Sequence, residues 1–257
     1  MNSILITGCN RGLGLGLVKA LIGLPAPAPT HIIATYRDPA KSQIILPNAL
    51  VRTALLAGYN RLTLPTLNAD VKNFDLYDQF AKDVDAVLQG AGLNVLFNNA
   101  GISPKSTRLN FTKQDDLVDT FVVNTVAPIM MTKAFVPLLK KASDANPAAP
   151  VGPQRACIVN MSSILGSIEA NREGGLYGYR TSKSALNAAT KSMSLDLKGH
   201  KIMAVAMHPG WVQTDMGGTK APLTVEQSCA AMVGTLLALN ESNNGGFLQY
   251  DGKPLPW

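Results

Sequence analysis

The chain has 257 residues, 46% of them hydrophobic and 16% charged, which excludes a disordered polypeptide and suits an α/β unit whose strands are buried on both faces of a parallel sheet. Cys9, Cys157 and Cys229 are too few and too scattered for a disulfide framework or a zinc site, and they predict a reducing compartment, the cytosol. The formal charge of +6 comes from basic residues dispersed along the chain, which argues against nucleic acid and suits a phosphate-rich ligand.

No uninterrupted apolar run reaches the roughly 20 residues of a membrane span, and the first ten residues lack a basic region followed by a cleavable apolar stretch, so no membrane partner is expected. Apolar runs of strand length occur at residues 3–7, 31–35, 62–69, 93–98, 156–161, 202–207 and 247–250, the last as an edge. Stretches with helical periodicity alternate with them, at 12–22, 76–88, 114–124 running on to 141, 179–198 and 225–239. Residues 41–64 read as one further helix, and the Pro- and Ala-rich pieces 25–29 and 146–153 as surface loops. The pattern predicts a Rossmann-type doubly wound parallel sheet of about seven strands with helices on both faces, in a single domain over 1–257.

Directly after the first strand stands Thr7-Gly8-Cys9-Asn10-Arg11-Gly12-Leu13-Gly14. Glycines where a strand turns into a helix let backbone amides approach a pyrophosphate, which then rests at the positive end of the helix. Glycine also marks ordinary turns, but the first strand–helix turn is where dinucleotides bind. At the tip of the second strand, where NAD-specific folds carry an acid, the chain reads Tyr36-Arg37, with Asp38 one step late. With Arg11 in the loop, this favours a 2′-phosphate and hence NADP(H) as cofactor. Read singly, each arginine is an ordinary solvated charge. Cys9 reads as a small buried filler, and His31, His200 and His208 lack metal-ligand spacing, so no metal is expected.

Four motifs follow in order: Thr7-Gly8-x-x-x-Gly12-x-Gly14, Asn98-Asn99-Ala100-Gly101, Tyr179-x-x-x-Lys183 and Pro209-Gly210. Together they resemble the short-chain dehydrogenase/reductase family over essentially the whole chain. The segments 8–16, 209–216 and 250–257 are similar to its sniffer-type and C-factor-like carbonyl reductases. The resemblance implies that Asp70 and Val71 lie beside the adenine, that Asn98, Ala100 and Gly101 line the adenosine side, and that Pro209, Gly210, Val212 and Thr214 shape the nicotinamide end. Asn98 and Asn99 would equally serve as turn formers after a buried strand.

Tyr179 and Lys183, four apart, share a helix face. A phenol ionises near pH 10, and a neighbouring ammonium is expected to draw it toward neutrality. Tyr177 has Thr181 at that spacing and is excluded. Such a pair alone is usually a helix-surface pair. Here Ser163 closes a buried strand and offers its hydroxyl to a substrate oxygen, with Ser162 as the alternative. Asn124 matches the family asparagine that holds a water on a path to the lysine. The expected reaction is reduction of a small carbonyl compound, an aldehyde, ketone or quinone, with Tyr179 as acid.

Ser163 and Tyr179 stand sixteen apart, farther than the family commonly shows. The loop 167–178 absorbs the excess, either shaping specificity or bulging outward. The stretch 215–223 makes a short substrate lid before a helix whose Thr224-Val225-Glu226-Gln227 reads as a capping box. Two rival readings are a non-catalytic NADP(H)-sensing regulator on the same fold and a structural subunit that only dimerises. The long helices are also expected to pair two copies into a homo-oligomer, a dimer or tetramer.

Overall fold

The computed structural model describes residues 1–25, 28–35, 70–104 and 108–257. Six parallel strands form one sheet: β1 (Ser3–Ile6), β2 (His31–Ala34), β3 (Val95–Asn98), β4 (Cys157–Met161), β5 (Met203–His208) and β6 (Phe247–Gln249), in the order β2-β1-β3-β4-β5-β6. The remaining strand expected at 62–69 and the helix expected at 41–64 lie outside the described residues, as do Tyr36 and Arg37.

Side chains alternate across the sheet because the strand period is two. Ile4, Ile6, Val95, Phe97, Val159 and Met207 face α1 (Gly12–Ile22), and the apolar stripe of the helix near the C-terminus packs there with them. Leu5, Leu96, Ile158 and Ala204 face the other way, against Phe80 and Val84 of α2 (Tyr77–Val87) and against Met131, Phe135 and Leu139 of a later helix. Each face buries about a dozen large apolar side chains, which at roughly 1.5–3 kcal/mol each is the main force holding the helices to the sheet.

The long helix expected from residue 114 is interrupted. It begins as α3 (Gln114–Phe121), widens to a π turn at Val122–Val126 and resumes as α4 (Ala127–Ala145). By length and composition this rod is apolar enough to cross a bilayer, which corrects the reading that no such stretch exists; 56% of its most apolar window is buried in the fold. The apolar stripe serves the core. π turns inside α-helices concentrate at functional sites, and this one carries Asn124.

Two further helices are α5 (Tyr177–Asp196), beginning two residues earlier than the periodicity suggested, and α6 (Val225–Ala238). The Thr224 capping box closes as expected: Gln227 N–H donates to Thr224 Oγ1 at 3.2 Å, and Thr224 N–H to Gln227 Oε1 at 2.9 Å. After β6 the chain folds back along its free edge. Gln249 N–H donates to the Lys253 carbonyl and Leu255 N–H to that of Phe247, both at 2.8 Å. An edge strand so covered no longer templates pairing with other chains.

Candidate active site

From β1 the chain steps to β2 on one side, and from β3 onward it proceeds on the other. At this reversal, outside the carboxyl ends of the strands, opens a cleft of about 520 Å³, the position where doubly wound sheets bind ligands. Gly8, Asn10, Arg11, Gly12, Leu13 and Gly14 form one wall. Gly8 has φ +72°, and a Cβ on it would stand 3.0 Å from Ala100 Cα, while one on Gly14 would stand 2.3 Å from the Gly8 carbonyl oxygen. Only glycine allows the loop to close this tightly, and the unsatisfied amides of the first turn of α1 stand at its mouth.

The loop is tied to the end of β3. Thr7 Oγ1 accepts from the N–H groups of Asn99 and Ala100, each at 3.0 Å, and Asn99 Nδ2 donates to the carbonyls of Thr7 (2.8 Å) and Gly8 (3.3 Å). Asn99 therefore shapes the phosphate loop directly. Neighbouring Asn98, expected to line the adenosine side, does not: it lies in the core, with Nδ2 donating to Asn160 Oδ1 at 2.8 Å and to Thr132 Oγ1 at 3.3 Å. As the last residue of β3, it points its amide into the helix-covered face, where a polar network satisfies it.

The remaining walls come from Asp70, Val71 and Lys72 ahead of α2, from Ala100, Gly101 and Ile102, from Asp119 and Val123 on the interrupted rod, and from Gln213 to Met216 in the lid. Two ion pairs cross the rims, Arg11 with Asp215 and Lys72 with Asp119. Both are well exposed, so each contributes at most about 1 kcal/mol.

Beyond Gly101 the groups expected for proton transfer meet. Asn124 Oδ1 accepts from Ile102 N–H at 2.9 Å, and Nδ2 donates to the Ile102 carbonyl at 2.8 Å and to Ser182 Oγ at 3.1 Å. A Cβ on Gly101 would stand 3.2 Å from Asn124 Oδ1 and 3.5 Å from Lys183 Nζ. Lys183 is buried, with Nζ donating to the Met161 carbonyl at 2.7 Å. Burial pulls its ammonium down to about 8.

Tyr179 is half-buried on the same helix face, its ring centroid 5.7 Å from Lys183 Nζ. Burial raises its phenol above the ordinary value, and the hydrogen bond with Ser163 opposes that rise. The expected lowering by Lys183 is thus overturned, because desolvation dominates and the ammonium is turned to Met161. Ser162 Oγ donates to Asn187 Oδ1 at 2.6 Å inside the core, whereas Ser163 Oγ caps the following turn by accepting from Leu165 N–H at 3.2 Å. Of the two candidate serines, Ser163 is therefore the one beside the phenol. His208, at the end of β5, is held neutral by burial, which lowers it to about 4.

The enlarged loop turns inward. Ser167 Oγ and Glu169 N–H donate to the Trp257 carbonyl at 3.0 and 2.9 Å, and the Trp257 ring stacks on Phe247 at 5.6 Å. Gly174, Gly175 and Leu176 all take positive φ before α5 starts. For Leu176 this costs about 1 kcal/mol, a strain of the kind that clusters at functional sites. In the lid, Pro209 accepts from Ser228 Oγ at 2.6 Å, Gly210 has φ +83°, Val212 is buried and bridges Leu223, and Thr214 Oγ1 accepts from Gly217 N–H at 3.1 Å. Thr214 reaches the cleft wall; Pro209, Gly210 and Val212 support it from behind.

The residue reading passed over Thr7 and Asn99 as shapers of the loop, and Lys72, Asp119 and Asp215 as rim charges. Thr7 and Asn99 sat inside motifs already marked. The rim charges carried no local signal, since their partners are distant in sequence.

A family model described as short chain dehydrogenase matches residues 2–222. A short-chain dehydrogenase of Pyricularia oryzae is 33% identical over 99% of this chain and 98% of its own length. Among solved structures, the carbonyl reductase Sniffer of Drosophila melanogaster is 55% identical with a TM-score of 0.90, and an NADPH-bound carbonyl reductase from chicken fatty liver is 37% identical with a TM-score of 0.87. Each of these two covers this chain completely and is itself covered by at least 99%. With the glycine loop, the crossover cleft and the tyrosine–lysine helix in place, the chain belongs to the short-chain dehydrogenase family.

Proposed function

We propose that this protein is an NADP(H)-dependent carbonyl reductase acting on small aldehydes, ketones or quinones, with Tyr179 as the proton donor. The reading is carried by the convergence of Tyr179, Lys183 and Ser163 at the end of a phosphate-shaped cleft. The residues present fit a dinucleotide. A Cβ at Gly8 or Gly14 would fill the cradle, and Arg11 brings positive charge to its mouth. Asp70 adds a carboxylate and Val71 an N–H that no described residue takes, an acceptor–donor pair suited to an adenine edge. Relatives whose structures hold NADP or NADPH strengthen the case.

When bound, the nicotinamide supplies hydride to the carbonyl carbon. Tyr179 gives its proton to the carbonyl oxygen, and its raised pKa keeps it protonated through neutral pH, as an acid in the reducing direction requires. Ser163 Oγ donates to the same oxygen as charge develops there. Lys183 carries its charge below about pH 8 and stands where it can grip the nicotinamide ribose and supply the phenol. The Asn124 side chain is spent on Ile102 and Ser182, so its main chain in the widened turn is the group left to hold a water leading to Lys183. The short lid leaves the pocket open, which favours small and varied substrates. Val118, Val126 and Ile129 remain exposed along the rod, which supports pairing of two copies.

The test is the loss of reduced-nicotinamide absorbance with a panel of aldehydes, ketones and quinones. NADPH should be oxidised well above NADH, and Tyr179→Phe should lower turnover by about 10²–10⁴. Tight NADPH binding without turnover of any carbonyl would instead identify a cofactor-sensing protein.

A further inference from the structure

We infer that Tyr77 is a positioning residue for the adenine half of the dinucleotide, holding Val71 in place through its hydroxyl. The inference rests on the NADP(H) reading and extends it to a residue outside the cleft wall. Val71 lines the cleft, and its carbonyl is turned away to accept from Tyr77 Oη at 2.6 Å, a short hydrogen bond. Tyr77 itself is 4% exposed, the first residue of α2, and its ring meets that of Phe74 edge-on at 5.6 Å.

The rest of the segment is saturated from within. Lys72 N–H donates to Asp70 Oδ1 at 3.0 Å and Asn73 N–H to the Asp70 carbonyl at 2.9 Å. Val71 is therefore gripped from both sides, by an Asp70-centred turn and by a buried phenol anchored on the helix that packs against the sheet. With the carbonyl so held, the peptide plane aims the Val71 N–H and the neighbouring Asp70 carboxylate as one unit. Burial and the nearby Asp70 charge both raise the Tyr77 phenol, so it stays a donor at any working pH. The Lys72–Asp119 pair ties the outer edge of the same segment to α3, but that exposed pair is weak; the buried hydroxyl is the stronger constraint.

The experiment is Tyr77→Phe, which removes one oxygen and keeps the ring. Binding of NADPH, of 2′,5′-ADP as the adenine half alone and of reduced nicotinamide mononucleotide as the other half is measured by titration, alongside KM and kcat. NADPH and 2′,5′-ADP should weaken by the same factor, about three- to tenfold, the mononucleotide should bind as before, and kcat at saturating NADPH should hold. Phe74→Leu, which loosens the Tyr77 ring and leaves its hydroxyl, should weaken 2′,5′-ADP by a smaller factor and serves if Tyr77→Phe does not fold. Unchanged 2′,5′-ADP binding in the folded variant, or equal losses for both halves, would overturn the inference. Wild-type protein that binds neither NADPH nor 2′,5′-ADP would overturn the cofactor reading itself.

Discussion

The two ends of the cleft are built on opposite principles. At the phosphate end the working surface is backbone, shaped by glycines that tolerate no Cβ, and the charged side chains are loosely held: Arg11 and Asp215 are 58% and 75% exposed. At the proton-transfer end the working groups are side chains, and Lys183 and Asn124 are 3% and 0% exposed, each pinned by hydrogen bonds to carbonyls across the fold. Shape does the work where a charge must be cradled, and burial does it where a pKa must be set. Substitutions should therefore act sterically at one end and through pH at the other.

The largest break in this contrast is expected from Gly14→Ala. The new methyl would meet the Gly8 carbonyl oxygen, Asn99 Nδ2 and Cys9 Cα, at 2.3, 2.7 and 2.9 Å. Overpacking of this kind costs about 1–3 kcal/mol or more, so NADPH affinity measured by fluorescence titration should drop about 10- to 100-fold, at any pH. Equal affinity in the variant would mean that the loop yields and that shape is not the governing factor there.

At the other end the expected signature is a pH limb. Lys183 is lowered to about 8 by burial, so it is charged below that value and loses its proton as pH rises through it. The kcat/KM for carbonyl reduction should be flat through neutrality and fall about tenfold per unit above pH 8. Lys183→Arg should show no such limb at any remaining activity, because a guanidinium does not deprotonate in this range. A limb that persists in the variant would assign it to another group.

The smallest effect is expected at the rim. Asp215→Asn frees Arg11 from an exposed partner and should tighten NADPH by no more than about threefold at low salt, fading as salt screens the charges. A loss of affinity would show that Asp215 supports the cleft and does not compete for Arg11.

Much of the cofactor end was legible in the chain because it is local. Gly8 to Gly14 lie in one turn, and their positions after a strand already state what the backbone must do. The pairing of Tyr179 with Lys183 was equally legible, since a four-residue spacing is a helix face. The choice between Ser162 and Ser163 was not, because both hydroxyls follow the same strand and only the Asn187 amide, twenty-five residues away from Ser162, removes one of them into the core. The sequence reading also placed Asn98 in the cofactor wall, where Asn160 and Thr132 claim its amide.

By itself the sequence determined the order of strands and helices, the family, the glycine turn and the tyrosine–lysine face, all of them properties of period and spacing. Tertiary structure alone decided the inward fold of the enlarged loop onto Trp257, the π turn that seats Asn124 against Ile102, the upward shift of the Tyr179 phenol and the hold of Tyr77 on Val71. Each of these depends on desolvation or on a hydrogen bond between residues that the chain separates and only packing brings together.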